Sequence, residues 1–358
     1  MRARAAAALD ALPSASSSEV SWVDGRVLGA AELEADPLRA SFERHGFAKL
    51  EAFASAAECA GMLARMGDLT DAWDPELENP VAFRTDGEQE GAQGASDYFS
   101  LSADRVHFFA EVDAVDDGAG ASGGLRPGLA KGEALNKVGH GLHVADEVFK
   151  EYSGSPKVTA LARRLGWAAP VLPQSMYIFK QPRIGGEVTS HQDSTFLYTT
   201  PRQTCLGLWL ALHDATVENG CVWVRPGSHR EALRRAFVTS PDGSGNMIFE
   251  DEECEGAGGE GAAAAGRAEA WAWEGALPEG SWPPPSDGLF AAGFIPIECK
   301  AGDLLVFPGL LDHLSLPNAS EAPRHTFQLH LVEGPGAGVR WSERNWLQYP
   351  GKAPFPEL

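Results

Sequence analysis

Gly185-Gly186-Glu187-Val188-Thr189-Ser190-His191-Gln192-Asp193 is the stretch around which the rest of the chain is read. Two glycines turn the backbone, and two metal-ligating residue types follow with one residue between them. In an extended segment His191 and Asp193 point to the same face, because side chains alternate along a strand. An imidazole beside a carboxylate supplies two of the three ligands of the two-histidine, one-carboxylate triad of non-haem Fe(II) sites. The triplet alone is weak, since chance produces it readily among ten histidines and many acids. It needs a third ligand, an anchor for a cosubstrate and a scaffold.

The third candidate ligand is His313, in Gly302-Asp303-Leu304-Leu305-Val306-Phe307-Pro308-Gly309-Leu310-Leu311-Asp312-His313. A Gly-Asp turn feeds an apolar strand and the histidine follows just past its end. Taken alone it reads equally well as a surface histidine bonded to Asp312. Arg324 opens an apolar strand running to Leu331 and has the fork geometry to bind a carboxylate at two points. Ser315 shares the His313 neighbourhood and can donate to the same carboxylate. Met176 and Trp209 sit in strand-like segments, and by composition they read as core residues before pocket walls.

The scaffold changes period along its length. Ser55 followed by Glu58 is a capping box opening a helix through Met62 and Met66. Asp68 to Ala95, acidic and broken by Gly and Pro, reads as loop. Val106, Phe108 and Phe109 mark a strand, and Ser155-Pro156 opens a helix with Val158, Leu161, Ala162 and Leu165 on one face and Gly166 as its stop. Beyond it, Gln174 to Phe179, Leu206 to Leu212, Cys221 to Val224, Asp303 to Phe307 and Thr326 to Leu331 are short, largely apolar and bounded by loop formers. Helices followed by many strands predict a mainly β, α+β architecture with flanking helices, of which a double-stranded β-helix (jelly roll) places distant ligands side by side.

The predicted organisation is an N-terminal tail over 1–36, a single domain over 37–358 and a low-complexity insertion at about 240–292. That insertion carries Glu250-Asp251-Glu252-Glu253, Pro283-Pro284-Pro285 and the tryptophans Trp271, Trp273 and Trp282. The tail is basic and Ala/Ser-rich, so organellar targeting is one reading and an unstructured tail the favoured one.

Net charge is -21, with 50 acids against 29 Lys and Arg, which repels polyanions and excludes nucleic acid as the expected partner. It also disfavours coenzyme A esters, unless Arg230, Arg234 and Arg235 make a local phosphate patch. No apolar run approaches the roughly 18 residues of a membrane span. Five scattered cysteines without a CxxC pair indicate neither a disulfide framework nor a zinc knuckle, and a reducing, cytoplasmic setting follows. No P-loop, GxGxxG after a strand or GxSxG elbow is present. His140 and His143 lie in a glycine-broken segment with no third ligand nearby, so hydrogen-bonding roles are expected. His213 and His229 are expected to stabilise turns, with a place facing the site as the alternative for His229.

Taken together, Asp97-Tyr98-Phe99, Asn136-Lys137-Val138-Gly139-His140, Gln174 to Pro182, Gly185 to Asp193, Glu218-Asn219-Gly220-Cys221, Pro226-Gly227-Ser228-His229 and Glu343 to Leu347 resemble the phytanoyl-CoA dioxygenase family. The likeness runs from about Pro37 to Leu358 apart from the insertion. It implies a dioxygenase using Fe(II), 2-oxoglutarate and O2, with ascorbate as a supporting reductant and a small-molecule or lipid-like substrate. It also implies that His191, Asp193 and His313 bind iron and that Lys137, Met176, Trp209, Ser315 and Arg324 line the 2-oxoglutarate pocket. In related halogenases a small residue replaces the carboxylate so that chloride binds; Asp193 therefore implies hydroxylation. Two other readings stay open on the residues alone: a jelly roll that keeps a metal without turnover, and a Zn(II) hydrolase using the same ligands.

Overall fold

The computed structural model describes residues 36–75, 81–85, 93–94, 96–115, 124–251 and 286–358. The expected tail over 1–36 therefore lies outside the described residues except for Asp36, as do Trp271, Trp273 and Trp282.

Strand order decides the architecture. The strands are β1 (Ala48–Leu50), β2 (Val81–Ala82), β3 (Val106–Ala110), β4 (Leu135–His140), β5 (Pro170–Ile178), β6 (Val188–His191), β7 (Thr199–Thr200), β8 (Leu206–Ala211), β9 (Val222–Val224), β10 (Arg235–Thr239), β11 (Met247–Asp251), β12 (Ile295–Ile297), β13 (Leu304–Pro308), β14 (His313–Ser315), β15 (Thr326–Glu333) and β16 (Arg340–Trp341). The larger sheet runs β1-β13-β8-β15-β5-β4-β3-β2 and the smaller one β12-β9-β14-β6. From β5 onward the chain crosses repeatedly between these two sheets. Strands far apart in sequence thereby become neighbours, which is the double-stranded β-helix the sequence predicts.

Alternation along β8 and β15 shows why these sequences suit the larger sheet. Leu206, Leu208 and Leu210, with Phe327, Leu329 and Leu331, are buried in one cluster with Phe42, Met62, Met66 and Trp167 of the helical layer. The intervening Gly207, Trp209, Gln328 and His330 face the opposite way, toward the interior between the sheets. Trp209 joins Val222, Trp223, Leu305 and Phe307 in a second cluster there. A one-residue register slip would exchange the two sets, so burial on both faces fixes the pairing.

The helical layer follows its capping signals. Ser55 accepts from Glu58 N while Glu58 reaches back to Ser55 N, and the helix Ala56–Ala72 follows. It continues past Asp68, where the sequence reads as loop, because Thr70 extends the buried face of Cys59, Met62 and Met66. Trp73 then stacks on Phe108 with ring centroids 5.0 Å apart. Pro156–Arg164 forms as expected, and Gly166 turns the chain at φ 110°. The glycine-broken stretch around Asn136 is a strand. Pairing with β3 on one side and β5 on the other overrides its glycine content.

Both ends of the expected insertion are ordered. Met247–Asp251 pairs with Arg235–Thr239, Met247 is buried, and Phe249 packs on Phe237 at 4.9 Å. The helix Ser286–Ala291 brings Phe290 to 5.3 Å from Trp223. Residues 252–285 lie outside the described residues.

Candidate active site

The register of β6 against β14 creates a cluster that could hold a metal ion. His313 is the direct partner of His191 across that pair, and the two rings lie 4.2 Å apart. Asp193, two residues beyond His191, opens a short 3-10 turn and is buried. Its Oδ1 is 3.4 Å from His191 Nε2 and 3.6 Å from His313 Nε2. One ligand atom from each residue lies within 4.8 Å of the other two. That spacing suits one ion held by bonds of about 2.1 Å.

Each histidine is presented in the tautomer that a metal needs. His191 Nδ1–H donates to the Thr189 carbonyl at 2.8 Å, and His313 Nδ1–H donates to the Leu311 carbonyl at 3.0 Å. A carbonyl only accepts, so the proton sits on Nδ1 and the Nε2 lone pair faces the cluster. Burial and the neighbouring His191 push His313 down to about 4, so it is neutral at physiological pH. Burial opposes ionisation of Asp193, yet the surrounding imidazoles of His313, His330 and His191 hold it well below the usual carboxylate range. Burial likewise opposes protonation of His191, but the Asp193 carboxylate outweighs it and raises the value. The alternative of a surface His313 bonded to Asp312 does not hold. His313 is buried, and Asp312 instead accepts from Ser190, Arg225 and Arg234.

One cavity of about 170 Å³ extends from this cluster, and every residue the sequence assigned to the site lines it: His191, Asp193, His313, Lys137, Met176, Trp209, Ser315 and Arg324. Met176 and Trp209, which read as core by composition, face it from one row of the larger sheet, Trp209–Gln328–Met176. Ser315 is two residues from His313 and so shares its face of β14.

Arg324 is 2% exposed, and its guanidinium lies 5.3 Å from the Trp209 centroid. No carboxylate pairs with it among the described residues, and its Nε is buried without a hydrogen-bond partner. Burial lowers it to about 10, which leaves it charged near neutrality. Lys137 Nζ lies 3.3 Å from the Phe83 ring and 3.9 Å from Met176 Sδ, and burial pushes its ammonium well below the usual range.

Among the cavity residues that sequence reasoning missed, three bear on its charge. Lys180 is buried and donates to the Gly186 carbonyl at 2.6 Å; Gly220 makes its channel, since a Cβ there would sit 2.5 Å from Lys180 Cε. Glu111 is buried and accepts from Gly186 N at 3.4 Å, and burial raises its carboxyl. His330 Nε2 lies 3.2 Å from Asp193 Oδ2. The only signal for Lys180 was its place in Gln174 to Pro182, and nothing in the sequence links Glu111 or His330 to the site before the strands are paired.

His140 and His143 take the hydrogen-bonding roles expected of them, whereas His213 and His229, expected to stabilise turns, tie distant segments together. His143 bridges Ser175 and Tyr349, His140 bonds Ser102, and His213 bonds the Pro323 carbonyl. His229 bonds the Glu43 carbonyl beneath Gly46 and does not line the cavity. The three arginines that could have made a local phosphate patch have other partners. Arg234 is taken by Asp312, Arg230 donates to the Glu43 carbonyl, and Arg235 stacks on Phe249 at 3.8 Å.

The model of the family described as phytanoyl-CoA dioxygenase (PhyH) matches residues 42–326. This chain belongs to the PhyH family. The span runs from the helix before β1 to the start of β15 and includes all three members of the metal-ligating cluster. Among curated PhyH relatives, phytanoyl-CoA dioxygenase domain-containing protein 1 of Mus musculus is 38% identical over 318 residues, covering 88% of this chain and 96% of that one. Phytanoyl-CoA dioxygenase of Arabidopsis thaliana is 36% identical over 316 residues, covering 88% and 93%.

Solved structures carry the fold further than the sequence does. The non-heme alpha ketoglutarate dependent epimerase SnoN from nogalamycin biosynthesis superposes with a TM-score of 0.52 at 16% identity, covering 91% of this chain and 90% of that one. EctD from S. alaskensis with 2-oxoglutarate and 5-hydroxyectoine gives 0.52 at 17% identity, covering 94% and 88%. At such identities the likeness shows the fold, a mainly β jelly roll.

Proposed function

We propose that this PhyH-family chain is an Fe(II)- and 2-oxoglutarate-dependent dioxygenase that hydroxylates a small-molecule or lipid-like substrate, releasing succinate and CO2. The observation that carries the reading is the pairing, in one cavity, of the His191/Asp193/His313 cluster with Arg324, a buried cation that has no anionic partner among the described residues. A dicarboxylate that meets a metal at one end and a guanidinium at the other answers both.

The residues present fit these groups. His191, Asp193 and His313 would hold the iron on one face, and Fe(II) bound there supplies the redox chemistry that couples decarboxylation of 2-oxoglutarate to oxidation of a C–H bond. Arg324 binds the distal carboxylate, the Ser315 hydroxyl donates to it, and Met176 and Trp209 wall the chain between the two ends. Lys137, Lys180 and Arg324 face Glu111 as the one buried acid lining the cavity outside the metal cluster among the described residues. This excess of positive charge suits a dianion, whose arrival restores the protonation that burial works against. Asp193 fills the position that chloride needs in a halogenase, which favours hydroxylation.

The other two readings leave Arg324 without a purpose, since neither a metal-retaining binding protein nor a zinc hydrolase needs a dicarboxylate anchor. Coenzyme A esters are disfavoured because Arg230, Arg234 and Arg235 are already engaged. No helix among the described residues is long and apolar enough to cross a membrane, and a cytoplasmic location is proposed.

The test is direct. Purified protein with Fe(II), ascorbate and 2-oxoglutarate should release succinate, and metabolite fractions that stimulate release identify the substrate class. Release no greater than that of Asp193→Ala would overturn the dioxygenase reading.

A further inference from the structure

Asp193 points Oδ1 at both ligand histidines, while Oδ2 turns away, buried and without an aligned hydrogen-bond partner among the described residues. The imidazole of His330 approaches it, with Nε2 3.2 Å from Oδ2. No hydrogen bond to that ring is made elsewhere among the described residues, and its Nδ1 is buried and unpartnered. Two strands set this arrangement. β15 carries His330 directly opposite Gly207 of β8, and a Cβ on Gly207 would stand 3.2 Å from Oδ2. The free carboxylate oxygen thus occupies a slot with backbone on one side and an imidazole on the other.

A metal-bound carboxylate whose second oxygen is not held is free to rotate and to coordinate through both oxygens. That would consume one of the three positions left open by a facial triad, of which a chelating cosubstrate needs two. We propose that His330 is a positioning residue that holds Asp193 Oδ2 off the metal, so that Asp193 binds through Oδ1 alone and room for 2-oxoglutarate is kept. The proposal rests on the dioxygenase reading.

The test separates ligand geometry from folding and from turnover. Full-length wild type, His330→Leu and His330→Gln are titrated with Mn(II), then with 2-oxoglutarate, by calorimetry, with thermal melts alongside. Leucine keeps the bulk without a donor, whereas the glutamine amide reaches toward Oδ2. The expected result is Mn(II) affinity close to wild type in all three, with 2-oxoglutarate bound about tenfold more weakly by His330→Leu and largely recovered in His330→Gln. Equal 2-oxoglutarate affinity in the two variants overturns the positioning role. Parallel loss of Mn(II) binding, 2-oxoglutarate binding and melting temperature overturns it too, because that pattern is merely structural. Failure of the wild type to bind Mn(II) or 2-oxoglutarate instead overturns the dioxygenase reading beneath it.

Discussion

The Arg324 guanidinium lies over the face of Trp209, 5.3 Å from the ring centroid, and the two line one cavity wall. A cation at that distance is attracted by the indole, but by far less than a carboxylate would give. Arg324→Ala is therefore expected to weaken 2-oxoglutarate binding by about 2–5 kcal/mol. Arg324→Lys should recover only part of it, because an ammonium cannot grip a carboxylate at two points. An unchanged isotherm for Arg324→Ala would remove Arg324 from the anchor.

Metal should stabilise the fold. The ligands lie on strands that exist as neighbours only in the native state, so an ion binds that state preferentially. With Mn(II) at about 100 times its dissociation constant the gain is about 2.7 kcal/mol. The melting temperature should rise on adding Mn(II) and fall with a chelator. Asp193→Ala should abolish the shift, and a shift of equal size in that variant would show the ion binding elsewhere.

Gly207 is predicted to be intolerant of any side chain. A Cβ would meet Phe307 Cε2 at 3.1 Å as well as Asp193 Oδ2 at 3.2 Å, and both neighbours are packed. Gly207→Ala should lower stability by about 1–3 kcal/mol through overpacking and weaken metal binding in addition. Metal titration and urea unfolding measure the two effects separately, and wild-type metal affinity would show that Asp193 adjusts freely.

Stability should fall in mild acid for a reason outside the site. Burial holds His143 at about 4 and His229 at about 3, whereas an unfolded chain protonates both near 6.5. A depressed histidine favours the folded state above the unfolded value, and that advantage drains away as pH drops from about 6.5 toward the folded value. Within that window each group removes up to about 1.4 kcal/mol per pH unit. Urea midpoints should decline between pH 7 and 5, and His229→Gln should decline less steeply even if it starts lower. Parallel slopes would show that His229 is not the titrating group.

The sequence carried the parts of the site that are marked by residue type and failed on those marked only by pairing. His191 and Asp193 are legible because one residue between them means one face of a strand. Arg324 is legible because it precedes an apolar strand past the second histidine. Met176 and Trp209 could not be told from core, since an inward-facing apolar side chain looks the same whether the space before it is filled or empty. Glu111 and His330 were invisible, and Lys180 was marked only by its motif, for a stronger reason. Their neighbours are set by β-register and by the slots at Gly207 and Gly220, which no local pattern encodes. Helix caps read correctly at Ser55, while the extent of that helix did not, because Thr70 and Trp73 are retained by burial against distant residues.

The direct pairing of His191 with His313 would also govern when the proposed metal site can form. The two residues are separated by most of the jelly roll's strands, and β14 is made well after β6. A nascent chain lacking it holds only His191 and Asp193, too few to retain an ion. Metal binding there would thus wait for closure of β14 onto β6, a contact of long sequence separation and so slow to form.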